Sequence, residues 1–568
     1  MKQISQKTAF KNEMKTINYI ALSRITLVGI VICSLILCCI STLPKLRGTS
    51  FDDAYMFLRY AKHWLSGMGF SWNPGEGPAY GITSVSYLLL VTAVRGLTNL
   101  PDPLVLTSLS FAAGMASVAV LTAMGFVFFK QLRRYWLPLL VIPSIVLGPL
   151  FIFHSTTGME TTLALFVNSV FAASVLYFAE RRSSTAFVLC LVAAYAVFLT
   201  RPDMGIYCLL LPPLFVVAGD VKYWKQGLFY VVVFVIILCL DLLLKKAVFG
   251  DFFPSPFFAK SAGFNRGYIG TYKWNAAHET LAFFRESLPY LLVIVCFMTR
   301  KAMPRLIAIL LPMFFTFGYY ATMTQIMGAN ARYYYASLPF LVLGAYVAAD
   351  SCTTERSGEL LRENSTHPFR IITAAILLYI LTTPLTDDGL TYAWQRWAIA
   401  EPTRFTSEKQ YLTRANTTLP TLGWAGSVNA MDSLLRHLPQ NVVLACSEYG
   451  YIGSRHPGIS IIDLVGLNDR YVARHGFTSD YLFSKRPDII WFPHPDYTYD
   501  TKEILDSETF VLNYDYYPGV YDYGIAVLRN SRLYQDIHGV LEKEFSRLYP
   551  GRKLSDYKAE PPVPFIEK

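Results

Sequence analysis

Apolar residues form long runs over the first two thirds of the chain, and the runs then stop. A hydrocarbon core of about 30 Å needs roughly 20 apolar residues per helix. On this criterion we predict eleven membrane spans, near residues 25–43, 104–129, 137–153, 161–179, 185–199, 204–218, 227–248, 287–299, 305–324, 332–349 and 370–386. The first run lacks a small-residue cleavage site, so we interpret it as a span rather than a signal peptide.

Residues 82–98 are apolar enough to form a twelfth span, and the positive-inside rule decides against it. If this segment does not cross, and the N-terminus is inside, five basic clusters lie inside: Lys130/Arg133/Arg134, Arg181/Arg182, Lys222/Lys225, Arg300/Lys301/Arg305 and Arg356/Arg362/Arg370. We therefore predict a helix at the outer face for 82–98. The pair Lys245/Lys246 is the one exception to this topology.

The C-terminal third has a different pattern. Short apolar runs alternate with polar, helix-compatible stretches, and the predicted strands are Val442–Ala445, Ile459–Ile462, Ile489–Phe492 and Ile525–Leu528. This alternation is typical of an α/β domain. We predict a transmembrane domain over 1–386 and an extracytoplasmic α/β domain over 387–568.

The composition agrees with a membrane protein. Of the 568 residues, 53% are hydrophobic and 16% are charged, against about 25% charged in soluble domains. The nine cysteines have no metal-ligand spacing and lie mostly in apolar runs, which excludes a disulfide-built domain and a cysteine zinc site. The net charge of +10 is accounted for by cytoplasmic Lys and Arg, so no nucleic-acid partner is predicted.

Carboxylates collect on the predicted outer face. Asp52 and Asp53 begin a juxtamembrane helix, and Glu160 begins the helix after the third span. Each could simply serve a helix N-terminus, where a carboxylate satisfies free N–H groups and complements the dipole. Capping needs only one Asp, however, and a second adjacent carboxylate has no structural reason. A catalytic role, as general base or metal ligand, is the alternative.

Cations collect on the same face. Arg201 lies in the turn Thr200-Arg201-Pro202-Asp203, Lys260 follows Pro254-Ser255-Pro256-Phe257-Phe258-Ala259, and Arg332 precedes three tyrosines. Arg201 could merely solvate a hairpin, and the aromatic residues could be interfacial anchors. The functional alternative is recognition of a phosphate. Together, the carboxylates and cations favour a lipid phosphate as substrate.

At these residues the chain resembles the GT-C glycosyltransferases, which take sugars from polyprenyl-phosphate donors. The resemblance is densest in DDAYMFLRYAKHWLSGMGFSWNPGEGPAYGITS (residues 52–84), which is similar to the mycobacterial terminal arabinofuranosyltransferase and its bacterial relatives. It continues in Gly158-Met159-Glu160-Thr161, Arg201-Pro202-Asp203, Arg332-Tyr333 and Ile462–Asp469. Val85-Ser86 and residues 387–440 depart from the pattern, so the sugar and the acceptor do not follow from it.

The resemblance implies an inverting glycosyltransferase in a bacterial inner membrane, acting in cell-wall biogenesis. Asp52, Asp53 and Glu160 are the expected catalytic residues, and Arg201, Lys260 and Arg332 would bind the donor phosphate. Arg59, Glu76, Tyr80, Thr83 and Ser84 form the expected substrate loop. Asp53 and Glu160 could instead hold Mg²⁺ or Mn²⁺. The implied partners are a polyprenyl-phosphate sugar, with a pentofuranose as one option, a glycan or glycolipid acceptor, and membrane lipid.

Two other functions stay open at this stage. A transporter of lipid-linked glycans would need charged residues near the bilayer midplane, and Asp241 is the carboxylate deepest in an apolar run. A non-catalytic scaffold of a cell-envelope complex would tolerate loss of the acidic pair.

Overall fold

The structure is a computed structural model that describes residues 24–47, 51–134, 136–260, 272–323, 330–356, 419–494 and 497–559. A helical region precedes a mixed region of short helices and one sheet. The helical region corresponds to the predicted transmembrane domain. The predicted span at 370–386 and the proposed boundary at 387 lie outside the described residues.

Seven described helices are long and apolar enough to cross a membrane. They are Arg24–Leu46, Asp102–Phe128, Thr161–Arg181, Pro202–Gly219, Val221–Phe249, Glu279–Phe297 (within the helix Tyr272–Phe297) and Met303–Tyr320. Four apolar segments are shorter: Val85–Leu97, Leu137–Val146, Ser184–Thr200 and Leu338–Thr354. The chain is therefore a polytopic helical protein in its N-terminal part, as the apolar runs predict.

Two predicted spans are not single helices. Residues 137–153 form a 3₁₀ turn at Leu137–Leu140 and two helices, Val141–Val146 and Pro149–His154. Pro149 cannot continue the preceding helix because it has no N–H to donate. Residues 332–349 divide into Arg332–Tyr335 and Leu338–Arg356, and Pro339 lies in the first turn of the second helix, where proline is tolerated. Hydrophobicity alone predicted continuous helices and missed both breaks.

Residues 82–98 form a helix from Val85 to Leu97, and the Ser84 side chain accepts a hydrogen bond from the Tyr87 backbone N–H at 3.4 Å. Thirteen residues at about 1.5 Å each give a helix of roughly 20 Å, shorter than a hydrocarbon core of about 30 Å. The length agrees with a helix that does not cross. The sidedness of the chain stays a prediction.

The C-terminal domain contains a five-stranded sheet in the order β2-β1-β3-β5-β4. The strands are β1 (Val443–Cys446), β2 (Ser460–Asp463), β3 (Ile489–Trp491), β4 (Tyr514–Tyr517) and β5 (Ile525–Leu528). β1 pairs in parallel with β2 and β3, while β5 pairs antiparallel with β3 and β4. The four predicted strands are present. β4 was missed because its sequence, Tyr-Asp-Tyr-Tyr, has no apolar run.

Short helices surround this sheet. They are Gly423–Arg436, Gly450–Arg455, Arg470–His475, Ser479–Ser484, Thr498–Leu505, Glu508–Asn513 and Tyr534–Leu548. The N-terminal region also contains Asp52–Leu65, Lys130–Arg134 and Ser255–Ala259, which lie outside the apolar set. We refer to Asp52–Leu65 as the juxtamembrane helix.

The buried apolar side chains form two separate cores. One lies within the helical region. The other lies mainly in the C-terminal domain and includes Ala54, Tyr55, Leu58 and Ala61 of the juxtamembrane helix, together with residues of Val85–Leu97 and Asp102–Phe128. This helix therefore packs with the C-terminal domain although it is close in sequence to the first apolar helix. The arrangement fixes its first residues, the acidic pair, between the two regions.

Candidate functional site

The loops that carry the acidic residues are tied together by backbone groups. The Phe51 N–H donates to the Thr157 carbonyl at 3.1 Å, one residue before the acidic pair. The Tyr87 hydroxyl donates to the Gly158 carbonyl at 2.6 Å, and Gly158 has a φ of 74°, a conformation that glycine adopts without strain. Asp53 and Glu160 are thus brought to one place from sequence positions more than a hundred residues apart.

Arg332 joins these two carboxylates. Its Nη2 donates to Glu160 Oε1 at 3.0 Å and to Oε2 at 3.2 Å. Its Nη1 lies 3.6 Å from Asp53 Oδ2. The guanidinium therefore holds Glu160 by hydrogen bonds and Asp53 by charge at a longer distance. The Asp53 side chain keeps 16% of its surface exposed, against 4% for Glu160, so Asp53 is the more accessible carboxylate.

Arg201 stands beside Glu160 and is oriented by Asp203. Arg201 Nε and Nη2 donate to the two Asp203 oxygens at 3.1 and 2.6 Å, a planar two-point contact. The Tyr320 hydroxyl also donates to Asp203, at 2.6 Å. Arg201 Nη1 lies 3.9 Å from Glu160 Oε1 and has no hydrogen-bond partner among the described residues. A buried N–H group of this kind is a ready donor for an anion.

Tyr333 forms the centre of the cation cluster. The guanidinium carbons of Arg201 and Arg332 lie 5.1 and 5.9 Å from its ring centroid. Lys260 Nζ lies 5.5 Å from the same centroid and donates to the Tyr333 hydroxyl at 2.9 Å. The structure therefore brings together all three cations that the sequence predicted. We call Asp53, Glu160, Arg201, Lys260, Arg332, Asp203 and Tyr333 the charge cluster.

The electrostatics of Glu160 follow from these contacts. Burial alone would raise the pKa of its carboxyl group, but Arg332 and Arg201 together lower this pKa below its ordinary value. Glu160 occupies the N-cap position of Thr161–Arg181 yet makes no capping hydrogen bond. Glu160 therefore does not cap this helix through its side chain, while its place at the helix start stays compatible with the helix dipole. Its carboxylate binds the Arg332 guanidinium.

The backbone is strained at the two residues directly before Arg332. Asn330 and Ala331 have φ values of 56° and 55°, and a non-glycine residue in this conformation costs about 1–2 kcal/mol. Glu279 accepts a hydrogen bond from the Ala331 N–H and holds the turn. Strain of this type is typical of positions where a side chain must be aimed.

Asp52 has a different role from its neighbour. Its Oδ2 accepts from the Gly450 N–H at 2.7 Å and its Oδ1 accepts from the Tyr451 N–H at 2.9 Å. Asp52 thus caps Gly450–Arg455 of the C-terminal domain, and it does so across the chain rather than within its own helix. Burial, aided by the nearby Glu448 carboxylate, raises the pKa of Asp52 to about 8.

Arg59 extends this docking along the same helix face. Its side chain is fully buried and donates to four carbonyls, those of Trp72, Gly453, His456 and Ile459, and to Asn73 Oδ1. These five bonds use all five N–H groups of a guanidinium. The geometry therefore favours a structural role for Arg59. We call Asp52, Tyr55, Arg59 and Lys62, together with Gly450–Arg455, the docking interface.

The other predicted substrate-loop residues make local contacts. Glu76 accepts from Asn73 Nδ2 at 3.0 Å, and Ser84 caps the helix Val85–Leu97. Tyr80 stacks on Phe249 with a centroid separation of 4.5 Å, while Thr83 is half-buried. In the part of the chain that the structure describes, none of these side chains forms a hydrogen bond or an ion pair with the charge cluster.

A cavity of about 210 Å³ lies next to this loop. Its lining is mostly apolar and comes from the loop, from Ser184–Thr200 and from the end of Val221–Phe249. One wall carries Asp241, which pairs with Lys245 at 2.6 Å and accepts from the Tyr195 hydroxyl at 3.0 Å. This pairing gives Lys245 a local counter-charge, which explains why it departs from the positive-inside pattern.

Sequence reasoning missed three members of the site. Tyr333 and Asp203 were named only as parts of sequence motifs, without a role, and Tyr320 lay unremarked inside the predicted span 305–324. The run Arg332-Tyr333-Tyr334-Tyr335 was the available signal, because a tyrosine beside a cation can bind it through the ring face. Only the structure shows that three cations share one ring.

Comparison with known proteins extends over both regions of the chain. Residues 415–549 match a family described as a domain of unknown function (DUF8728). No curated protein matches the chain. ArnT from Cupriavidus metallidurans in the apo state is similar with a TM-score of 0.52 at 14% identity, covering 88% of this chain and 97% of ArnT.

Two further solved structures are similar at lower scores. ArnT bound to undecaprenyl phosphate gives a TM-score of 0.47 at 13% identity, covering 82% of this chain and 92% of ArnT. The oligosaccharyltransferase AglB from Archaeoglobus fulgidus, in complex with an inhibitory peptide and a dolichol-phosphate, gives a TM-score of 0.46 at 11% identity. This match covers 89% of this chain and 74% of AglB.

The apo ArnT match concerns the fold alone, because its sequence identity is low. It covers both the helical region and most of the C-terminal domain. The particular likeness to the terminal arabinofuranosyltransferase stays a prediction. In its architecture the chain is a polytopic α-helical membrane protein of the GT-C fold, with a C-terminal α/β domain.

Proposed function

We propose that this protein is a membrane glycosyltransferase that moves a sugar from a polyprenyl-phosphate donor to a glycan or lipid-linked acceptor. The observation that carries the proposal is the charge cluster, in which Arg201, Lys260 and Arg332 surround Tyr333 beside Asp53 and Glu160. The cluster offers phosphate-binding groups and an accessible carboxylate within one site, which is what glycosyl transfer from a lipid phosphate needs.

The cations suit a phosphate ester. Arg201 presents Nη1 toward Glu160 without a hydrogen bond among the described residues. Within the same part of the chain, Lys260 donates to the neutral phenol of Tyr333. A phosphate oxygen can therefore gain a charge-assisted hydrogen bond from each without first displacing a hydrogen bond to a carboxylate. Arg332 already contacts two carboxylates, so it is less available to donate to a phosphate. We assign Arg201 and Lys260 as the principal phosphate ligands.

Asp53 is the proposed general base. Asp52 has both oxygens occupied by backbone N–H groups, whereas among the described residues the polar contact of the Asp53 carboxylate is the one with Arg332, at 3.6 Å. Asp53 takes the proton of the acceptor hydroxyl as that oxygen attacks the anomeric carbon. The new carbon–oxygen bond forms as the bond to the phosphate oxygen breaks, and the electron pair leaves on the lipid phosphate. Attack opposite the leaving group inverts the anomeric centre.

The leaving phosphate gains negative charge in this step. Arg201 and Lys260 are already in place to stabilise it, and preorganised charge of this kind is commonly a large contribution to catalysis. The mostly apolar cavity beside Tyr80 offers a place for part of a hydrocarbon chain. A solved ArnT structure holds undecaprenyl phosphate, a ligand of the same class as the donor proposed here.

The finer assignments belong to the same proposal. We infer an acceptor site on the extracytoplasmic face of a bacterial inner membrane, with the C-terminal domain on that face, from the basic clusters of the sequence. A cell-wall glycan as acceptor and a pentofuranose as sugar rest on the motif resemblance alone. The domain limits of 1–386 and 387–568 are proposed on the same basis.

The proposal is tested by phosphate binding in the full chain purified in detergent. Native mass spectrometry with a polyprenyl phosphate should show binding that Lys260→Met weakens by roughly tenfold, the loss of one charge-assisted hydrogen bond. Lys246→Met is the matched control, because Lys246 is an exposed lysine that donates to the Gly250 carbonyl. Equal affinity in both variants would contradict the assignment of the phosphate site.

A second experiment measures sugar transfer itself. Lipid-linked sugar donors, pentofuranosyl and hexosyl, are supplied to the wild-type chain in liposomes with a glycan acceptor. Turnover that Lys260→Met reduces and Lys246→Met leaves intact supports the enzyme. Turnover that is absent with all donors, together with intact phosphate binding, would favour the transporter alternative.

A further inference from the structure

We propose that the Arg332 guanidinium occupies the place of a divalent cation between Asp53 and Glu160, so that this site works without bound Mg²⁺ or Mn²⁺. The inference rests on the proposed function and names the group that balances the two catalytic carboxylates. It replaces the sequence-based alternative in which the same two carboxylates hold a metal ion.

The geometry places one guanidinium between two carboxylates. Arg332 Nη2 contacts both Glu160 oxygens, and Nη1 faces Asp53 Oδ2 at 3.6 Å. A shared Mg²⁺ needs near-octahedral oxygen ligands at about 2.0–2.1 Å from each carboxylate. The nitrogen atoms of Arg332 occupy the space where such an ion would bridge them. In the part of the chain that the structure describes, no group of three or more His, Cys, Asp and Glu side chains could hold a metal.

The balance of charges within the charge cluster also argues against a bound divalent cation. The charge cluster contains three cations, Arg201, Lys260 and Arg332, and three carboxylates, Asp53, Glu160 and Asp203. These groups are partly or fully buried, where charge is weakly screened and an uncompensated ion is costly. A divalent cation would add two positive charges to a neutral set that already provides positive charge for a phosphate.

The neighbouring structure is built to hold Arg332 in this position. The strained turn at Asn330 and Ala331 precedes it directly, and Glu279 fixes that turn. The different distances to the two carboxylates also divide their roles. Glu160 is locked to Arg332 by hydrogen bonds, while Asp53 is oriented by charge and stays accessible to an acceptor hydroxyl. A single side chain thereby orients the base and neutralises its neighbour.

The test measures metal binding directly and needs no sugar donor. Mn²⁺ is titrated into the full chain in detergent, and bound Mn²⁺ is followed by electron paramagnetic resonance and by thermal unfolding. Wild type should show no saturable site that depends on Asp53. Arg332→Met should gain one, since two carboxylates lose their shared cation, and saturating Mn²⁺ should raise its Tm by about 2–4 °C. The double variant Asp53→Asn/Arg332→Met should lose the gained site.

Two results would overturn the inference. One is saturable Mn²⁺ binding in wild type that Asp53→Asn or Glu160→Gln removes. The other is a folded Arg332→Met variant that gains no Mn²⁺ site. If Arg332→Met does not fold, the wild-type titration still decides, and Arg332→Lys, which keeps the charge, should resemble wild type. Failure of the proposed function would instead appear as absent transfer in wild type with the Mn²⁺ results unchanged.

Discussion

Asp52 belongs to the docking interface and Asp53 to the charge cluster. These two adjacent carboxylates therefore have different kinds of binding partner. In the docking interface, charged side chains mostly bind backbone groups: Asp52 accepts two N–H groups, and Arg59 donates to four carbonyls. In the charge cluster, charged side chains mostly bind one another, as Arg332 binds Glu160 and Arg201 binds Asp203.

This difference in binding partners indicates which function each region is suited to. Backbone groups cannot rotate away, so removing one partner leaves a buried polar group unsatisfied, at a cost of about 1–3 kcal/mol. The docking interface is therefore suited to hold the C-terminal domain in one orientation. Side-chain ion pairs can be rearranged when a substrate brings its own phosphate or hydroxyl. The charge cluster is therefore suited to chemistry, and the docking interface keeps it in register.

The largest effect should come from the catalytic carboxylate. Asp53→Asn removes the proposed base while the side chain stays nearly isosteric, so we expect transfer to fall by about 10²–10⁴. Within the described ranges, the Asp53 carboxylate makes no backbone contact like those of Asp52, and the fold should be kept. Transfer from a polyprenyl-phosphate sugar in liposomes, with thermal unfolding alongside, measures both. A variant that retains near-normal turnover would remove Asp53 from the reaction.

A second substitution tests the docking interface at Gly450, which lies against the backbone of Asp52. A Cβ added at Gly450 would overlap the backbone carbonyl of Asp52, and overpacking of this kind costs about 1–3 kcal/mol. We expect Gly450→Ala to raise the undocked fraction about 5- to 150-fold, measured as faster trypsin cleavage of the C-terminal domain. Gly539→Ala is the matched control, since an added Cβ there meets nothing within 4 Å. Equal cleavage rates in the two variants would contradict the interface.

A smaller change is expected at the phosphate. Arg201→Lys keeps the charge but loses the planar pair of bonds to Asp203 and the free Nη1 donor. We expect roughly tenfold weaker binding of the lipid phosphate. Binding by native mass spectrometry checks this. Unchanged affinity would return Arg201 to a purely structural role in the turn with Asp203 and Tyr320.

The smallest effect concerns pH and the docking interface. The unfolded chain releases the Asp52 proton near pH 4, whereas in the folded chain burial raises the pKa of Asp52 to about 8. The folded state binds more protons between these values, so the free energy of unfolding falls as pH rises through this window. We expect Tm to drop by about 2–4 °C more in wild type than in Asp52→Asn between pH 6 and 8.5. Parallel pH curves would refute this assignment.

Much of this architecture was predictable because it depends on local pattern. The long apolar helices, the helix start at Asp52 and four of the five strands follow from hydrophobicity and strand composition. The helix breaks near Gly148 and before Leu338 were missed, since averaging over a span hides a single proline. The membership of Arg201, Lys260 and Arg332 in one site was also foreseen, from topology and resemblance together.

The division of labour between Asp52 and Asp53 could not be predicted in this way. Successive residues on a helix point in directions about 100° apart, and sequence alone does not say which element covers each direction. The partner of Asp52 lies almost 400 positions away, at Gly450 and Tyr451. The same holds for Arg59, whose match to a family motif suggested substrate binding while its contacts hold the C-terminal domain.

Hydrogen–deuterium exchange at two backbone amides tests the central claim most directly. The Gly450 and Tyr451 N–H groups should exchange faster in Asp52→Asn than in wild type, because the substitution replaces an acceptor oxygen with a donor at this cap. In Asp53→Asn the same two amides should keep wild-type protection, since Asp53 serves the charge cluster. Equal loss of protection in both variants, or protection unchanged in Asp52→Asn, would contradict the separation of the docking interface from the charge cluster.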